Sequence, residues 1–78
     1  MDELNKKYYK ISEVSEMLGI TQSTLRYWET QFTILKPKRT SKGTRTYSPD
    51  DIEKIKMVKY LVHDRGMKLE KAQEQIRH

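Results

Sequence analysis

The 78-residue chain contains no cysteine. Without thiols it forms no disulfide and no thiolate metal site, so no covalent staple supports a domain this short, whose core is modest. That absence fits a reducing compartment. Long apolar runs are missing too. None approaches the roughly 20 residues that a membrane-spanning helix requires, and the opening MDELNKKYYK lacks the apolar stretch of a secretion signal. The expected setting is the cytoplasm, with no membrane partner. Nucleophile motifs, glycine-rich phosphate loops and metal-ligand spacings are absent as well. His63 and Asp64 adjoin in HDRG, but neighbouring residues on a helix point in different directions, and His78 is the last residue. An enzyme is not expected, nor a metal, nor a cofactor.

Acidic residues are missing from one particular stretch. Positions 30–49 hold none, while Lys36, Lys38, Arg39, Lys42 and Arg45 fall within them. The formal net charge of +5 is therefore concentrated there. A positive balance favours anionic partners, nucleic acid first and an acidic membrane surface second. The competing reading is charge carried only for solubility. It accounts for the sign but not for the confinement of that sign to one segment.

What is present reads as a series of short elements. Residues 1–7 are polar and expected to fray, and Tyr8, Tyr9 and Lys10 suit a short strand or an extended lead-in. A first helix is expected over 12–19, with Ser12 as its N-cap and Glu13 at the positive end of the helix dipole. Val14, Met17 and Leu18 define its apolar face, and Gly19 stops it by permitting the left-handed conformation. Thr21 caps a second helix, expected over 21–32, in which Leu25, Trp28 and Phe32 share one face. Two short amphipathic helices joined by a Gly-Ile turn form a helix-turn-helix.

Pro37 and Gly43 exclude a helix from the segment that follows. Short runs near 35–38 and 44–47 flank the turn-rich RTSKG, which predicts a hairpin over 35–47. Ser48-Pro49-Asp50-Asp51 is the clearest helix start in the chain: a cap, a proline at the first helical position and two carboxylates facing the dipole. That helix is expected over 49–65, with Ile52, Ile55, Val58 (or Met57), Leu61 and Val62 buried and Gly66 as its stop. A last helix is expected over 69–77, carrying Leu69, Ala72 and Ile76. The order is that of a mostly α, winged helix-turn-helix: four helices with a small β-hairpin wing, in one domain.

The apolar face of the second helix must pack inward, which leaves Gln22, Ser23, Arg26 and Tyr27 outward near its N-terminal end. In helix-turn-helix proteins that end enters the DNA major groove. Arginine bonds two acceptors on guanine and glutamine does so on adenine. Tyrosine offers a ring to a thymine methyl and a hydroxyl to phosphate. The plain alternative is a solvated helix face. Trp28 shares the face of Leu25 and Phe32, so it reads as core rather than as a stacking platform. The basic hairpin suits a wing on the phosphate backbone, with Lys38, Arg39, Lys42 and Arg45 as contacts. Tyr47 is open between packing under the hairpin and reaching a phosphate.

These residues also carry a resemblance. KISEVSEMLGITQSTLRYWE, LKPKRTSKGTRTYSPDDIEKI and HDRGMKLEKAQEQI, from Tyr9 to about Ile76, together resemble the DNA-binding domain of MerR-like transcription regulators. The resemblance implies a single MerR-like domain over 1–78 that binds pseudo-palindromic promoter DNA as a dimer and bends and untwists it. It puts Gln22, Ser23, Arg26 and Tyr27 on a recognition helix. Arg39, Lys42, Gly43 and Arg45 fall on the wing, with Tyr47 on its closing strand. Arg65 and Lys68 are implied as a further backbone contact. Dimerisation is expected through a region of the full-length protein absent from these residues. Two departures stand out: no cysteine is available for thiolate sensing of soft metals, and Trp28 replaces the second tyrosine of the RYYE run. The alternative reading is a protein-interaction module, or an excisionase-like DNA-architecture module, on the same scaffold.

Overall fold

A computed structural model of the chain describes residues 7–77. The fraying expected of 1–7 therefore lies, residue 7 apart, outside the described residues. Strand β1, Tyr9–Lys10, leads directly into α1, Ile11–Leu18. The helix thus starts one residue ahead of its expected range, and Ser12 is not its cap. Lys10 holds that position with extended backbone, and its N–H donates to the Glu13 carboxylate at 2.8 Å. The earlier start follows from the pairing of Lys10 with Thr46, which fixes the end of the strand.

Gly19 ends α1 with a φ of 67°, in the left-handed region where a side chain is strained. The turn is tied down twice, as the Ile20 N–H donates to the Ser15 carbonyl at 3.2 Å and the Ser15 hydroxyl donates to the Ile20 carbonyl. Thr21 caps α2, Gln22–Gln31, accepting from the Thr24 N–H at 3.1 Å. Phe32 closes α2 in extended backbone.

The hairpin is built from β2, Lys38–Arg39, and β3, Arg45–Tyr47. β3 is the central strand of an antiparallel sheet of order β1-β3-β2, with Tyr9 opposite Tyr47 and Arg39 opposite Arg45. The connection is a turn in which the Gly43 N–H donates to the Thr40 carbonyl at 2.8 Å. Gly43 then takes a φ of 84°, which lets the Thr40 N–H reach the Thr44 carbonyl at 2.8 Å. The Thr40 hydroxyl accepts from the N–H groups of Lys42 and Thr44, so this exposed loop has a defined shape.

Ser48 and Asp51 form a reciprocal capping box at the start of α3, Pro49–Lys59, with bonds of 3.1 and 2.9 Å. Beyond Lys59 the helix widens into a π turn over Tyr60–Asp64, a change the spacing did not predict. The Arg65 N–H reaches the Tyr60 carbonyl, and the Met67 N–H reaches that of Leu61, both at 2.9 Å. Helix α4, Leu69–Arg77, completes the described chain.

The core gathers Val14 of α1, Leu25 and Trp28 of α2, Ile52, Ile55 and Val58 of α3, Leu61 of the π turn and Ala72 of α4. Tyr9 and Tyr47 seal it from the sheet, and Phe32 and Leu35 from the loop after α2. Of the two candidates at 57–58, Val58 is buried while Met57 is 42 % exposed. Trp28 is 2 % exposed, and its ring lies 5.3 Å from that of His63 at 59°. The Gln73 amide donates to the Gln31 carbonyl at 2.6 Å, which ties α4 to the end of α2. The elements fill about 33 × 31 × 23 Å. Among the described residues, no helix is long and apolar enough to cross a membrane.

Candidate nucleic-acid interface

With Leu25, Trp28 and Phe32 turned inward, the N-terminal outer face of α2 is left to Gln22, Ser23, Arg26 and Tyr27. Ser23 and Arg26 are exposed, Tyr27 is 52 % exposed and Gln22 is half-buried. The Arg26 guanidinium donates to the Gln22 side-chain oxygen at 3.3 Å. The two side chains with bidentate capacity for bases therefore stand together, one helical turn apart. The Tyr27 carbonyl accepts from the Thr30 hydroxyl at 2.6 Å, one turn further along.

On the wing, Lys38, Arg39 and Lys42 are exposed, as is Lys36 just before it. Arg39 leans along the turn, with its guanidinium 3.4 Å from the Gly43 carbonyl. Arg65 and Lys68 are exposed on either side of Gly66, between the π turn and α4. These three sets lie at the surface, Gln22 only in part. Two wing residues differ from these in their surroundings.

Tyr47 is 1 % exposed and packs beneath the hairpin, the first of the two alternatives its sequence position left open. Its hydroxyl donates to the Glu29 carboxylate. Burial holds the phenol well above the ordinary tyrosine pKa, and the adjacent Glu29 carboxylate adds to the shift by accepting the hydroxyl's hydrogen bond and by its charge. Arg45 is also committed. Its Nε donates to the other Glu29 oxygen at 2.6 Å, with the two side chains 23 % and 8 % exposed. Its charge is therefore compensated within the fold, whereas among the described residues Lys38, Arg39 and Lys42 have no carboxylate partner.

Glu29 is the residue that sequence reading passed over. It ends LRYWE, the segment from which the readers were taken, and it is the last acid before the acid-free span. A signal was present. Glu29 lies four residues after Leu25 and three before Phe32, at the edge of the apolar stripe. A carboxylate there requires partners of its own. What spacing could not reveal was that Arg45 and Tyr47, on a strand distant in sequence, would be those partners. A cleft beside this group is lined by Glu29, Thr30, Lys36, Arg39 and Arg45, between the end of α2 and the wing.

The pattern of the MerR HTH regulatory protein family matches residues 9–78. The HTH-type transcriptional regulator MlrA of Escherichia coli is 36 % identical over 64 residues, covering 82 % of this chain and 26 % of MlrA. The chain thus spans about a quarter of that relative's length. A MerR-family transcriptional regulator from Bacillus cereus, known as a crystal structure, superimposes with a TM-score of 0.78 at 29 % identity, over 91 % of this chain and 52 % of that one. HiNmlR, a MerR family regulator lacking the sensor domain and crystallised bound to promoter DNA, gives a TM-score of 0.74 at 22 % identity, over 86 % and 52 % of the two chains. With a helix-turn-helix, a basic wing and a family pattern that runs from β1 to the chain end, this chain belongs to the MerR family of helix-turn-helix regulatory proteins.

Proposed function

We propose that the chain binds double-stranded promoter or operator DNA sequence-specifically, as the DNA-binding module of a cytoplasmic transcription regulator. A MerR-family regulatory module is not an enzyme; its chemistry is recognition. In this reading the N-terminal end of α2 enters the major groove, where Gln22, Ser23, Arg26 and Tyr27 meet base edges and nearby sugar or phosphate. Lys38, Arg39 and Lys42 lie on the phosphate backbone, with Arg65 and Lys68 as a second backbone contact. Two such modules, held together by parts of the full-length regulator, would occupy the halves of a pseudo-palindromic site. The promoter DNA bound to HiNmlR, a chain of the same fold, supports the ligand class.

The observation that carries the reading is the pairing of two exposed surfaces: a polar helix face with bidentate readers, and a wing whose exposed charges are all of one sign. A solvated surface needs neither the pairing nor the single sign. The test is an NMR titration of labelled protein with a short mixed-sequence duplex at low salt. Amides of Gln22–Tyr27 and of Arg39–Lys42 are expected to shift together. If both sets stay still with duplex in excess, the face serves another partner and the protein-interaction reading replaces this one.

A further inference from the structure

Arg45 sits in the wing but is not presented as the other wing cations are. One carboxylate engages both ends of a short segment of β3: Glu29 Oε1 takes the Arg45 Nε–H, and Oε2 takes the Tyr47 hydroxyl. The bonds join the recognition helix to the central strand of the sheet across 16 and 18 residues of sequence. We propose that Glu29 is a positioning residue for duplex recognition, which fixes the wing against the recognition helix and withholds the Arg45 charge from the phosphate backbone. The inference rests on the DNA-binding reading above.

Three observations carry it. The Glu29 side chain is 8 % exposed, so its charge depends on its partners rather than on water. A phosphate that drew Arg45 away would leave that carboxylate uncompensated beside a polyanion, which opposes the exchange. Tyr47 is a proton donor to the same carboxylate and is itself packed in the core. The strand therefore cannot slide along α2 without breaking two bonds and unseating an aromatic ring. Finally, the exposed wing cations, Lys38, Arg39 and Lys42, need a fixed angle to Gln22 and Arg26 if phosphate and base contacts are to form at once. Glu29 belongs to α2 and its partners to β3, so it sets that angle without touching DNA.

The test is the salt dependence of affinity for a short mixed-sequence duplex. Each phosphate neutralised contributes about 0.9 to the slope of log affinity against log salt. Arg39→Ala is expected to make the slope shallower by about 0.9, whereas Arg45→Met leaves it unchanged. Glu29→Gln keeps a carbonyl acceptor for the Tyr47 hydroxyl, so the wing stays anchored, but frees the Arg45 charge; it is expected to steepen the slope by about 0.9, and adding Arg45→Met to Glu29→Gln returns it to the wild-type value. That return is a readout that a merely structural role would not produce. Arg45→Met acting like Arg39→Ala, or a folded Glu29→Gln with the wild-type slope, overturns the inference. Wild-type protein gives an answer that depends on no variant's folding. On saturation with duplex, the Arg45 Nε–H resonance should keep its free-protein position while that of Arg39 moves; equal movement of both overturns the inference. Loss of all salt-dependent binding by the wild type would instead remove the DNA-binding reading itself.

Discussion

Tyr47 shows how one side chain ties the wing's chemistry to the stability of the fold. Its phenol is buried, and its hydroxyl donates a hydrogen bond to the Glu29 carboxylate. Both effects raise its pKa above the ordinary value near ~10. A folded-state pKa above the unfolded one means that the contribution is fully present below about 10 and is lost as pH rises from there toward the folded value. Tyr47→Phe is therefore expected to lower stability near neutral pH by roughly 1.5–3 kcal/mol, the scale of a hydrogen bond to a charged group. It should also reduce the further loss on going to alkaline pH. Urea unfolding midpoints measured across that range check both effects, and parallel curves for the two proteins would count against this account. Trp28 belongs to the same scale: it is buried against His63, while its neighbours Arg26 and Tyr27 stay exposed.

At the level of elements, the start of α3 matters most because it carries three core residues, Ile52, Ile55 and Val58. The capping box of Ser48 and Asp51 satisfies two backbone donors at once. Ser48→Ala should cost about 1 kcal/mol. For a domain of this size that lowers the melting temperature by roughly 4–8 °C. Thermal unfolding followed by circular dichroism tests this, and an unchanged midpoint would mean that Pro49 and the tertiary contacts alone set the helix start. The wing has a different logic. Its strands are two and three residues long, too short to stand alone. It is held by β1 on one side and by Glu29 on the other. The spacing reads α3 as running on to 65, but the helix instead loosens into a π turn whose Leu61 is buried and whose Tyr60 is exposed.

For the whole molecule the expectation concerns valence. On the proposed DNA-binding reading, one module offers one recognition helix and one wing, which suits a half-site. Joining two copies by a flexible linker long enough to span both halves should raise affinity for an inverted-repeat duplex by about 10²–10⁴ over a single copy, with no new contact. The duplex would come from a binding-site selection on the single module. Fluorescence anisotropy on paired and single half-sites checks this, and equal affinity on both would argue against paired half-site recognition.

Much of this molecule is determined by local sequence. Gly19, Thr21, Pro37, Gly43 and the Ser48–Asp51 run mark where elements stop and start, because each acts on its own backbone. The spacing of Leu25, Trp28 and Phe32 orients α2, so the outward Gln22, Ser23, Arg26 and Tyr27 are legible for the same reason. The helix start at Ile11 depended on a strand pairing, Lys10 with Thr46, that no local signal contains. The fates of Arg45 and Tyr47 were likewise decided only by the tertiary structure. Periodicity reports which face of its own element a residue takes, whereas the partner of a buried charge comes from wherever the chain has folded back. Here Glu29 met Arg45 and Tyr47 across the acid-free span, and that meeting separates the wing cations into those exposed to solvent and the one the fold keeps for itself.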